Sequence, residues 1–108
     1  MWTQSRRLLL GVAAALVATS CLAPTLPLPP PGDPEVVGPN AQGLVRLRGR
    51  APEKSWVTAY NRVTERGVIQ AADDGSYDLE IAAEIGHSIA VWYEIGGRTS
   101  EPLDVTIR

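Results

Sequence analysis

From Gly43 to Arg108 apolar side chains recur at every second position in six short runs, and this feature most narrows the possible folds. Val45 and Leu47 alternate with Arg46 and Arg48, and Val57 and Ala59 with Trp56, Thr58 and Tyr60. Ile69 and Ala71 flank Gln70, while Tyr77, Leu79 and Ile81 alternate with Asp78 and Glu80. Ile89, Val91 and Tyr93 alternate with Ala90, Trp92 and Glu94, and Leu103, Val105 and Ile107 with Asp104, Thr106 and Arg108. Successive side chains of a strand point to opposite faces, so period two describes strands with one face buried. The gaps hold turn residues: Gly49 to Lys54, Thr64 to Gly67, Asp73 to Ser76, Glu84 to Gly86 and Gly96-Gly97. Short antiparallel strands at this spacing predict an all-β sandwich or barrel. The expected inward set is Val45, Leu47, Val57, Ala59, Ile69, Tyr77, Leu79, Ile81, Ile89, Val91, Val105 and Ile107. Ala82-Ala83-Glu84 is the only helix-like fragment and is too short to matter.

The chain upstream is of a different kind. Seven of the nine prolines fall within residues 22–42: Pro24, Pro27, Pro29, Pro30, Pro31, Pro34 and Pro39. Proline fixes φ and removes a donor, so the stretch favours polyproline II and is excluded from a sheet interior. A tether is expected here, and about 20 residues at roughly 3.1 Å each would reach up to about 60 Å. A proline-rich ligand for another protein is the alternative use of such a segment.

Residues 1–20 read as a secretory signal. Arg6 and Arg7 precede the ten apolar residues Leu8 to Val17, and Ala18-Thr19-Ser20 follow. Spanning a bilayer takes about 20 apolar residues, so this run does not qualify. Ser5-Arg6-Arg7 followed by three leucines is also compatible with a loose twin-arginine signal. Cys21 comes next and is the only cysteine. Ala-Leu-Val-Ala-Thr-Ser-Cys resembles the lipobox of bacterial lipoproteins, with Ala18 where leucine is usual. The resemblance implies cleavage before Cys21, acylation of its thiol and a membrane anchor. More than one acyl chain is needed for stable anchoring, and a lipoprotein cysteine carries them. Leu22 stands where an aspartate would imply inner-membrane retention, so the resemblance points to the outer membrane of a Gram-negative cell envelope.

The domain also resembles a known family. Gly43-Leu44-Val45, Gly49-Arg50-Ala51, Trp56 to Tyr60, Asp73-Asp74-Gly75-Ser76-Tyr77, Gly86 and Ser100-Glu101-Pro102 occur in the order seen in bacterial immunoglobulin-like domains. Carboxypeptidase regulatory-like domains share much of this pattern. The resemblance covers nearly all of residues 43–108 and implies a small Greek-key immunoglobulin-like β-sandwich. Such domains serve as spacers or binding modules and rarely as catalysts. The expected organisation is therefore a signal peptide over residues 1–20, a lipidated cysteine and tether over 21–42, and a sandwich over 43–108.

Candidate chemistry is sparse. After cleavage the chain holds eight Lys or Arg against twelve Asp or Glu, a net of −4 with no basic stripe for nucleic acid. Asp73-Asp74-Gly75 supplies too few oxygens for calcium, which takes six to eight, and reads as a turn. His87 is the only histidine, and zinc needs three or four ligands, so it reads as a surface residue at a strand start. Ser76, Ser88 and Ser100 lack a nucleophile elbow. No catalytic residue, metal or cofactor is expected.

The aromatic residues carry more information. If Val57 and Ala59 point inward, Trp56 and Tyr60 point outward, and Trp92 opposes Ile89, Val91 and Tyr93 in the same way. Trp56, Tyr60 and Trp92 would then share an exposed face able to stack on sugar rings or dock a partner. A one-residue slip would instead bury them, since register flips every side chain. The expected function is a non-enzymatic envelope lipoprotein acting as a tethered structural or protein-interaction module. A carbohydrate-binding module for cell-wall or surface glycan is the alternative, and its discriminating feature is exposure of the three rings. A third reading, an accessory subunit pairing through a sheet edge, requires an unpaired and uncharged edge strand.

Overall fold

Five of the six alternating runs become strands of seven or eight residues, and the sixth becomes a strand of four. The computed structural model describes residues 26–108, which form an all-β sandwich of eight strands with no helix among them. The strands are β1 (Glu35–Val37), β2 (Leu44–Arg50), β3 (Ser55–Asn61), β4 (Arg66–Ala72), β5 (Ser76–Ala82), β6 (Ser88–Ile95), β7 (Arg98–Thr99) and β8 (Leu103–Thr106). One sheet runs β1-β2-β5. The other runs β4-β3-β6, with β7 and β8 both pairing to β6. All strand pairs are antiparallel. β6 returns to lie beside β3, and β5 follows β4 around the sandwich edge, which makes β3 to β6 a Greek key folded over two layers.

The core is the set of residues facing the gap between the layers. Val45, Leu47, Val57, Ala59, Tyr77, Leu79, Ile81, Ile89, Val91 and Ile107 are all buried, as the alternation predicts. Ala72, Ala83 and Tyr93 join them. Val105 is half-buried and packs at the rim.

Ile69 departs from the expected inward set. It is 66% exposed and lies on the outer face, while Val68, Gln70 and Ala72 face inward on β4. β4 is the outermost strand of its sheet, so its inner face meets only the rim of the core. That rim accepts a polar residue: the Gln70 amide donates to the Asp78 carbonyl at 3.0 Å and accepts from the Asp78 N–H at 2.7 Å. The single apolar residue that alternation would have turned inward is therefore free to point out.

The expected tether also differs, from Leu28 onward. Leu28 forms a parallel bridge with Ser100 and packs against the core, and its carbonyl accepts from Glu101 N at 3.0 Å. Pro31 is buried, and Glu35–Val37 pair with Val37↔Arg46 to Glu35↔Arg48 along β2. The prolines bracket this three-residue strand rather than interrupting it, and β1 sits at a sheet edge where a missing donor costs little. Asn40 then turns the chain into β2, its Oδ1 accepting from Gln42 N and Leu44 N at 2.9 and 3.0 Å.

β7 and β8 are one strand broken by a bulge. β7 pairs Thr99 with Glu94, whereas β8 pairs Leu103 with Val91, a register one residue out of step. Ser100 is buried at the break. Its Oγ accepts from Tyr93 N at 3.0 Å, and its own N–H donates to Tyr93 O at 2.8 Å. Pro102 follows, where it needs no ladder donor.

Candidate functional site

The two outer faces of the sandwich differ in chemistry. On the β1-β2-β5 sheet Arg46 and Arg48 face Asp78 and Glu80. Arg46 Nε lies 3.0 Å from Asp78 and its Nη2 3.5 Å from Glu80, and Arg48 Nε lies 3.4 Å from Asp78. All four are about half exposed, so the ladder contributes little stability and leaves a hydrated, self-neutralised surface.

The outer face of the larger sheet is apolar and aromatic. Its register sets Trp56 between Ala71 and Glu94, Thr58 between Ile69 and Trp92, and Tyr60 between Gly67 and Ala90. Trp56, Tyr60 and Trp92 thus do share one face, in the outward register that alternation predicts. Trp56 is 56% exposed, and Tyr60 and Trp92 are half-buried. The three rings occur at successive two-residue steps along the strand direction, about 6.6 Å apart. Tyr60 and Trp92 have ring centroids 6.3 Å apart with planes tilted by 50°, a separation in the favourable range for aromatic pairs. The Tyr60 ring also lies over Gly67, where an added Cβ would come within 3.4 Å of Tyr60 Cδ2. Glu94 marks one end of the face, and the Arg62–Asp104 pair at 2.9 Å marks the other. Alternation alone misassigned Ile69, which completes this face. The signal that would have found it is Gly67 and Ala71, its neighbours on β4, which leave outward space beside large rings.

The titratable and nucleophilic residues are held in structural roles. His87 is more buried than expected, its side chain 16% exposed. Its Nδ1 receives two donors, Glu84 N at 3.1 Å and Asn61 Nδ2 at 3.0 Å, which puts the ring proton on Nε2. Asn61 is fully buried. It also donates to Ala82 O at 3.0 Å and accepts from Val63 N and Thr64 N at 2.9 and 3.2 Å. The pair ties the β3–β4 turn to the loop before β6. In the β4–β5 turn Asp74 Oδ1 accepts from Ser76 Oγ at 2.7 Å and Ser76 N at 3.0 Å, and Gly75 has φ +83°. The Ser76 hydroxyl, then its amide, hold the Asp74 carboxyl below its ordinary 3.8. Among the described residues no three His, Cys, Asp or Glu side chains gather as a metal site. No described helix is long and apolar enough to cross a membrane. Cys21 lies outside the described residues.

An open groove of about 570 Å³ at the β4–β5 edge is lined by Arg48, Arg50, Gln70, Asp78 and the base of Tyr77. The Tyr77 ring lies over Gly49, and its hydroxyl is buried with no hydrogen-bond partner among the described groups. No family model, no curated protein and no solved structure matches the chain.

Proposed function

We propose that this chain is a non-enzymatic bacterial envelope lipoprotein whose sandwich binds glycan on the outer face of the larger sheet. Acylation of Cys21 anchors it, in the outer membrane where the cell has one. The domain is of the bacterial immunoglobulin-like or regulatory-like kind. The observation that carries the binding assignment is the shared, solvent-facing placement of Trp56, Tyr60 and Trp92. An outward patch in which Trp56 and Ile69 are exposed beside the half-buried rings of Tyr60 and Trp92 fits an interaction site. Flat rings suit the apolar C–H face of a sugar, and rings repeated along the strand direction suit an extended cell-wall or capsule polymer lying along β3. The opposite outer face supports the choice by contrast, since its charges already satisfy one another.

Trp56→Ala and Trp92→Ala should each fold with a cooperative unfolding transition and bind peptidoglycan or surface polysaccharide roughly tenfold more weakly, about 1.4 kcal/mol. Unchanged retention of both folded variants would sink the assignment. A protein-interaction role through the same face is the second reading, and Ile69 favours it. A branched aliphatic chain adds nothing to sugar stacking but suits the apolar centre of a protein interface.

A further inference from the structure

We propose that β4 is a self-pairing edge, through which two copies of this chain join antiparallel with Ile69 opposite Ile69. The two β4-β3-β6-β8 sheets would then run on as one. This inference stands apart from the glycan assignment and needs only the strand edges.

Each sheet edge of the domain is guarded except this one. β1 is three residues long. β5 carries Asp78 and Glu80, and its Asp78 backbone groups are already taken by the Gln70 amide at 2.7 and 3.0 Å. β8 is four residues long, and the bulge before it is covered by Leu28 through the Glu101 hydrogen bond. β4 is seven residues long, and among the described residues no strand lies beyond it. From Gly67 to Ala72 it has no charge and no proline. Long uncharged edges are what monomeric sheets avoid, because unpaired N–H and C=O groups template another strand. Ile69, 66% exposed at the middle of this edge, would be an added liability in a monomer.

Charge selects the partner and its direction. β4 has Arg66 at one end and runs into Asp73-Asp74 at the other. Antiparallel self-pairing about Ile69 sets Arg66 of one copy across from Ala72 of the other, beside the turn that carries Asp73-Asp74. This contact occurs twice by two-fold symmetry, as an isologous interface requires. Parallel pairing would set the acidic ends side by side. Residues directly opposed in an antiparallel pair share a face, so the row Trp92, Thr58, Ile69 meets its own copy and the aromatic face doubles in width.

The test uses the full chain carrying Cys21→Ser, which leaves it without a native thiol. Ile69→Cys added to it should give a disulfide-linked dimer under mild oxidation, since directly opposed Cα atoms lie about 4.5–5.5 Å apart, within the roughly 4.4–6.8 Å that a disulfide spans. Glu80→Cys, on the other sheet, should not. By sedimentation the parent should be dimeric, and Ile69→Lys, at an exposed site, should keep the fold and weaken the dimer at least about tenfold. A parent that stays monomeric, or equal cross-linking from both cysteine positions, would overturn the proposal. Trapping of a different protein by Ile69→Cys in cells would also overturn it and assign the edge to that partner.

Discussion

At the scale of single residues, the core of this domain is held by close fits rather than by polar pairing. Gly49 and Tyr77 are cross-strand partners, and the tyrosine ring occupies the space a side chain at 49 would need. A Cβ at Gly49 would sit 2.6 Å from Tyr77 Cζ, too close for real atoms. Gly49→Ala is therefore expected to cost about 1–3 kcal/mol as overpacking. The hydroxyl of the same tyrosine is the one buried side-chain group without a partner among the described residues, and burial pushes its pKa above the ordinary 10.0. Removing an unsatisfied polar group returns its desolvation cost, so Tyr77→Phe should leave stability unchanged or raise it by about 1 kcal/mol. Urea unfolding of the two variants checks both. A clear loss on Tyr77→Phe would mean that the hydroxyl has a partner in solution.

At the scale of elements, the turn between β4 and β5 shows how local chemistry sets a pH limit. The Asp74 carboxylate accepts from the Ser76 hydroxyl and amide, and these bonds favour its charged form. A carboxyl whose folded pKa lies below its unfolded value adds stability at pH above the unfolded value. That stability is lost as pH falls through the folded value. The domain should thus weaken below about pH 4, and Asp74→Ala should flatten part of that acid limb. Unfolding midpoints measured from neutral to acid pH would show it, and parallel curves for the two proteins would refute it. The same turn was legible in the sequence because Asp-Asp-Gly-Ser states its own geometry. β2, β3, β5 and β6 were legible for a similar reason: each is central or long enough for burial to enforce period two. β4 was half legible, because its inner face meets the rim of the core and Gln70 takes an inward place there by bonding the Asp78 backbone. β1 and β7 were not legible. Three and two residues carry no period, and both exist because a neighbouring long strand offers an edge. The aromatic face was legible both as a set of residues and in its outward register, and Ile69 is the member that alternation misplaced.

At the scale of the whole molecule, the path of residues 26–37 changes how the domain would stand on a membrane. A free tether of residues 21–42 would have carried the sandwich up to about 60 Å away. Leu28 and β1 are instead laid against the domain, and Arg98 Nη2 donates to Leu26 O at 2.7 Å. Only four residues, Leu22 to Thr25, separate Cys21 from Leu26, and the five steps reach at most about 18 Å. The chain meets the sandwich at the end that carries the Gly96-Gly97 turn, because Leu28 bridges Ser100 and β7 pairs with the end of β6. The β3–β4 turn lies at the other end, since Asn61 pairs with Ile89 at the start of β6. If Cys21 is the anchor, the end with Gly97 faces the bilayer and Thr64 points away from it. The aromatic face then stands upright between them, open to polymer or partner from the side. A fluorophore attached at position 97 of the lipidated protein should be quenched by headgroup quenchers in vesicles, and one at position 64 should not. Cys21→Ala should abolish fatty-acid labelling, detergent-phase partitioning and quenching together. Retained partitioning in that variant would refute the anchor. Equal quenching at both positions with the anchor intact would refute the close mounting alone, because a long free tether lets either end approach the surface.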